Sequence, residues 1–192
     1  MTQRLHPVLS PADLPEAELR AALLDGEVFA VGECFSPVDE VVGPVHRARS
    51  LAALLPPRLI AEQHSAAWVL GASSSPPSRP ELCTDSDART RPASLAMLAV
   101  REVVIDSSEF SWLGGIRVTT PLRTAIDLAR FSIAFGAEER EIVARLAESG
   151  RFRLSDVTEA IERRRNLPRK RLALTRLHSV FAGPPCSGRL PG

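Results

Sequence analysis

Three carboxylates are the first residues that could do chemistry. Asp85 and Asp87 sit one residue apart in Leu-Cys-Thr-Asp-Ser-Asp, downstream of a Gly/Ser-rich loop, and Asp106 ends the run Arg-Glu-Val-Val-Ile-Asp. Two metal ions clamped by three such carboxylates could drive phosphoryl transfer, the chemistry of a metal-dependent nucleotidyltransferase. Against this, Ser86 and Ala88 suit a strand core poorly, and Pro76, Pro77 and Pro80 interrupt the loop the chemistry needs. Asp-Ser-Asp is also ordinary turn composition. A nuclease built on a Glu-x-Lys hairpin would need a lysine in the sheet, and the only lysine, Lys170, lies far downstream in a basic run. His6, His46, His64 and His178 form no i,i+4 pair, and Cys34, Cys83 and Cys186 are widely separated. Such spacing implies neither a zinc site, nor a disulfide framework, nor a nucleophile–base pair. No metal and no cofactor are expected.

The second constellation is cationic. Arg163, Arg164, Arg165, Arg169, Lys170 and Arg171 crowd the stretch RRRNLPRKR. Such a patch could contact phosphates, with affinity that falls steeply with salt. The alternative is a solvated helix end, partly neutralised by Glu159 and Glu162 and favoured by the helix dipole. No aromatic interleaves the run, which argues against stacking on single strands. Leu172, Leu174, Leu177 and Val180 read as core.

The elements that must position these residues are legible in part. Net charge is +1, but residues 151–192 carry ten Arg/Lys against three Asp/Glu, and residues 1–150 carry fourteen against twenty. The halves are therefore +7 and −6, an asymmetry that hints at nucleic acid or an acidic protein surface. With 44% hydrophobic and 24% charged residues the chain is of globular type, and no apolar run is long enough to span a bilayer. A cytoplasmic location fits the cysteines and the absence of a signal-peptide core at the N-terminus. Helices are expected over about 15–25, in two short pieces broken at Pro56-Pro57 (the second carrying Leu59, Ile60, Gln63, Ala67, Leu70 and Gly71 roughly on one side), over 136–149, over 154–165 with Ser155 as cap, and from Pro168 onward. Strands are expected near 28–31, 34–35, 81–85, 99–106 and 116–118. The Gly/Pro-rich tail, 183–192, reads as disordered.

Within this frame, GGIRVTTPLRTAIDLARF (114–131) is a strand running into a helix. Gly114-Gly115 is a turn signal, Thr119 or Thr120 can cap, and Pro121 falls at the first helical position, where its missing N–H is harmless. Leu122, Ala125, Ile126 and Ala129 make one apolar face. Arg123 and Asp127, four apart, are expected to pair on the outer face for about 0.2–0.5 kcal/mol.

Two motifs together, AEQHSAAWVLGA (61–72) and IRVTTPLRTAIDLAR (116–130), resemble the AbiEi antitoxins of type IV toxin–antitoxin systems, which are common in actinobacteria. The similarity covers about 47–182. It makes Trp68, Gly71, Thr120, Pro121, Arg123, Thr124 and Asp127 a structural signature, with Thr120, Arg123 and Asp127 locking the strand-to-helix turn. The resemblance implies an N-terminal winged helix that binds operator DNA, repression of the operon, and a nucleotidyltransferase-like toxin as partner. Here 1–46 has room only for a truncated winged-helix-like segment, with 15–25 as recognition helix and 27–35 as wing. That moves the expected contact with operator DNA or toxin to the C-terminal arginines. The expectation is therefore an α+β protein: a winged-helix remnant of helix plus β-hairpin, a small mixed sheet with helices, and a helical C-terminus. Its function would be that of a non-enzymatic regulator.

Overall fold

The computed structural model describes residues 7–56, 58–86 and 99–183. Asp87 and Cys186, and the tail expected to be disordered except for Gly183, lie outside these residues. The chain is α+β. It opens with α1 (Glu16–Leu24) and an antiparallel hairpin of β1 (Val28–Val31) and β2 (Cys34–Pro37), turned at Gly32 with φ +60°. Leu9 bridges to Phe35 and adds an edge to the hairpin. This small unit has its own apolar centre in Leu9, Leu19 and Val28.

Next come α2 (Pro44–Ala52), β3 (Ile60–Ala61), α3 (Gln63–Val69), β4 (Glu81–Asp85), β5 (Ala99–Val103), β6 (Phe110–Leu113) and β7 (Ile116–Thr119). Four helices follow: α4 (Pro121–Phe131), α5 (Ala137–Gly150), α6 (Leu154–Glu162) and α7 (Lys170–Phe181). The sheet is mixed, in the order β5-β4-β3-β7-β6, with parallel β3–β7 and β4–β5 pairs and antiparallel β3–β4 and β6–β7 pairs. Leu82, Ile116 and Val118 pack on α2 and α3 on one side. A second core joins α4 to α5, α6 and α7 through Leu128, Val143, Leu146, Val157, Ile161 and Leu177.

Several expectations need correction. Leu59, Ile60 and Ala61 are not the start of a helix. Ile60 and Ala61 form the central strand, pairing with both β4 and β7. Two residues offer no alternation to read, and a short apolar run does not discriminate helix from strand. The cap of α6 is Arg153, whose backbone N–H donates to Asp156 at 2.7 Å, and Ser155 lies inside the helix. Leu172 is exposed, because the inward stripe of α7 runs through Ala173, Leu177 and Val180. The strand β6 follows a turn capped by Asp106 and had no clear sequence signal.

The stretch AEQHSAAWVLGA ends in a defined helix terminus. Gly71, at φ +84°, closes α3: its N–H donates to the Trp68 carbonyl at 3.0 Å and the Ala72 N–H to Ala67 at 2.8 Å. This is the double-bonded helix end that needs a left-handed residue. Trp68 is 3% exposed. A Cβ on Gly32 would stand 3.2 Å from the Trp68 ring, so the tip of the N-terminal hairpin rests on the edge of that ring.

A buried ionic centre and a basic cleft

Helix α4 is covered on nearly every side, and the covered side that is not apolar is ionic. Thr120 caps it, accepting from Arg123 N–H at 3.4 Å, with Pro121 at the first position. Thr124 is fully buried, and its hydroxyl reaches the Thr120 carbonyl at 2.9 Å and the Thr119 hydroxyl at 2.7 Å. Arg123 and Asp127 do pair, but not on the outer face: they are 4% and 0% exposed. The Arg123 Nε donates to Asp127 at 2.6 Å, and Arg130 Nη1 donates to the other carboxylate oxygen at 2.7 Å. The expectation failed because the sheet edge and the α6–α7 connection pack over this stripe of the helix, which helical spacing alone cannot reveal.

Three further members join. Glu62, 1% exposed at the start of α3, accepts a bidentate pair from Arg101 of β5 at 2.7 and 2.6 Å. Arg101 Nη2 also stands 4.0 Å from Asp127. Glu109 accepts from Arg123 Nη1 at 2.9 Å and from Arg164. Phe131, at the end of α4, lies under the guanidiniums of Arg101 (3.8 Å), Arg130 (4.4 Å) and Arg169 (5.8 Å). Burial disfavours the charges of Arg101 and Arg123, but bonds to Glu62 in one case and the Asp127 charge in the other outweigh it and raise both pKa values. For Arg130 burial wins, aided by the neighbouring Arg123 and Arg101 charges, and its pKa is lowered. Cys83 lies beside this centre. Burial, then Glu62 and Asp127, push its thiol up, away from nucleophilic use.

Of the signature residues, Arg123 and Asp127 belong to this ionic centre, Thr120, Pro121 and Thr124 form the start of α4, and Trp68 and Gly71 lie at the end of α3. Glu62, Arg101, Glu109, Arg130 and Phe131 were not anticipated. No local signal marked them: Glu62 opens the polar stretch Glu62-Gln63-His64-Ser65, where a carboxylate reads as solvated.

The basic run forms the α6–α7 connection. Its cations divide. Arg163 pairs with Glu159 on the same helix, Arg164 reaches back to Glu109, and Arg169, at φ +58°, donates to the Arg130 carbonyl at 3.3 Å. The side chains of Arg165, Lys170 and Arg171 make no ion pair or hydrogen bond among the described residues. Between this connection, β5 and the end of α4 lies a cleft of about 600 Å³ bordered by Arg101, Arg123, Arg130 and Arg164.

The carboxylates proposed for metal chemistry are placed otherwise. Asp85 ends β4 opposite Val103. Asp106 caps a 3₁₀ turn, Ser107–Glu109, accepting from the Ser108 N–H and hydroxyl at 2.9 Å each. Among the described residues no group of three or more His, Cys, Asp or Glu residues is arranged to hold a metal ion. No helix among them is long and apolar enough to cross a membrane.

The described residues thus form an α+β domain that holds a Thr-Pro-capped helix against a buried Arg/Asp/Glu centre. Residues 51–174 match the AbiEi antitoxin C-terminal domain, and the chain belongs to that family. No curated protein matches it. Among solved structures, the crystal structure of the RV2827C protein from Mycobacterium tuberculosis is similar over 92% of this chain and 76% of that one, at 16% identity and a TM-score of 0.39.

Proposed function

We propose that the protein is a non-enzymatic, cytoplasmic antitoxin-type regulator that works by binding. Its contact surface is the α6–α7 connection, where Arg163, Arg164, Arg165, Arg169, Lys170 and Arg171 meet operator DNA phosphates or the acidic face of a nucleotidyltransferase-like toxin. The observation that carries this reading is that the side chains of Arg165, Lys170 and Arg171 are left without partners among the described residues while those of their neighbours are engaged. Unpaired guanidinium and ammonium groups on such a connection suit phosphate contacts. In this reading residues 1–46 are the winged-helix-like remnant and 47–182 the antitoxin domain. Helix α1 and its hairpin would hold the DNA register while the C-terminal cations supply most of the attraction.

Binding of the purified protein to its own upstream DNA and to a scrambled duplex, across a salt series, tests this. Preference for its own sequence with a steep salt slope is the expected result. No binding to either duplex at low salt would overturn the DNA half of the proposal. A second reading, a protein-interaction module without DNA affinity, is favoured by Trp112, which stands 64% exposed on β6 beside the helix that carries the exposed Val45.

A further inference from the structure

The cleft beside the ionic centre has a feature that the antitoxin reading does not use. Arg123 and Arg130 each spend Nε and Nη1 on partners within the protein, and Arg101 spends Nε and Nη2. Each therefore keeps one terminal nitrogen: Nη2 of Arg123, Nη2 of Arg130 and Nη1 of Arg101. None of these is a buried atom left without a partner among the described residues. Each remains unbonded yet open to solvent, although Arg123 and Arg130 are almost entirely covered. All three residues border the same cleft, with Arg164 and Asn166 across from them on the α6–α7 connection. The carboxylates of the ionic centre hold the guanidiniums from behind and fix their free edges. Of the carboxylates on the lining itself, Asp106 is turned to Ser108 and Glu102 stands exposed on the edge strand.

We propose that this cleft binds a small polyphosphate-bearing ligand of nucleotide size, held by its phosphates. Fixed guanidinium edges at several sides match phosphate oxygens in a way that mobile surface cations do not. A volume of about 600 Å³ accommodates such a ligand. Val103, Leu167 and Pro168 give the cleft an apolar flank. The one aromatic ring there, Phe131, is already covered by three guanidiniums, so no ring face is free to stack a base. Recognition therefore rests on the phosphates and discriminates poorly between bases.

Calorimetric titration of the full chain with ATP, GTP and tripolyphosphate tests the proposal. All three should bind with affinities within a few-fold of one another. Arg164→Ala should weaken each by about tenfold or more, the scale of one lost charge-assisted hydrogen bond. Should that variant prove unstable, Asn166→Asp places a negative charge on the exposed part of the lining and should weaken binding likewise. The double variant Arg165→Ala/Arg171→Ala should leave cleft binding within about twofold while impairing DNA binding. Absence of binding by the wild type would overturn the proposal. So would an equal loss in the double variant, which would mean diffuse attraction to the basic surface. DNA binding can fail while the cleft still takes tripolyphosphate, so the two readings fall separately.

Discussion

The Asp127 carboxylate is completely buried, and Arg123 donates to it at 2.6 Å from one turn earlier in the same helix. A second arginine, Arg130, holds its other oxygen at 2.7 Å. Removing one member of a buried ion pair leaves the others charged and dry. Asp127→Ala is therefore expected to destabilise the fold by about 3–5 kcal/mol. Asp127→Asn, which keeps the shape and one acceptor, should cost less. Urea unfolding of both variants checks this, and equal midpoints for wild type and Asp127→Ala would refute it.

Gly114 occupies the turn between β6 and β7 at φ +55°. A Cβ there would lie 2.7 Å from the Val45 carbonyl oxygen and 2.9 Å from the Ala48 Cβ. Both neighbours belong to the packed helix α2, so neither can yield cheaply. Gly114→Ala should lose about 1–3 kcal/mol through strain and overpacking. Gly26→Ala, also at positive φ but with open space around it, should lose less. Thermal melts of the two variants give the comparison.

His64 and Glu81 tie the start of α3 to β4, with His64 Nδ1 3.0 Å from the carboxylate and the His64 N–H donating to it at 2.8 Å. The hydrogen bond to Glu81 raises the His64 pKa above 6.5. Burial works to raise the Glu81 pKa, but its bonds with His64 prevail and lower it below 4.5. The histidine contribution is thus complete below pH 6.5 and fades as pH rises through its folded value. The glutamate contribution is present above pH 4.5 and fades as pH falls through its folded value. Stability measured from pH 4 to 9 should therefore lose a component on the alkaline side that His64→Gln lacks. Parallel profiles for the two proteins would show that the pair does not titrate with folding.

Among the C-terminal cations, the Arg165 and Arg171 side chains lack partners in the described residues and Arg163 is paired with Glu159. On the DNA-binding proposal, Arg165→Ala and Arg171→Ala should each reduce the salt slope by about one and weaken all duplexes alike. Arg163→Ala should do less, because part of its charge is already spent on Glu159. Filter binding at several salt concentrations separates the three.

The helices, their turn signals and the basic connection were legible because each depends on near neighbours. Pro121 after Thr120 caps α4 whatever lies around it, and the spacing of Val143 and Leu146, or of Val157 and Ile161, marks an inward stripe. What could not be read depends on distant partners. Ile60 and Ala61 become a strand only because β4 and β7 flank them. Arg123 and Asp127 spell a surface pair until β5 and the α6–α7 connection bury them. Arg101 and Glu62, 39 residues apart, meet with no local sign of it. The ionic centre joins two local pairs of α4, Arg123–Asp127 and Arg130–Asp127, to partners distant in sequence, and only the local part can be read from the motif.

Two tryptophans and no tyrosine make up the near-ultraviolet fluorescence of this chain. Trp68 is sealed beneath the hairpin tip at Gly32, and Trp112 stands in water on β6. The molecule thus carries two intrinsic optical reporters in opposite surroundings. A soluble quencher should extinguish the red-shifted emission of Trp112 and spare the blue emission of Trp68. Lifting of the N-terminal hairpin would then register on one channel, and a partner settling on the β6–β7 turn would register on the other.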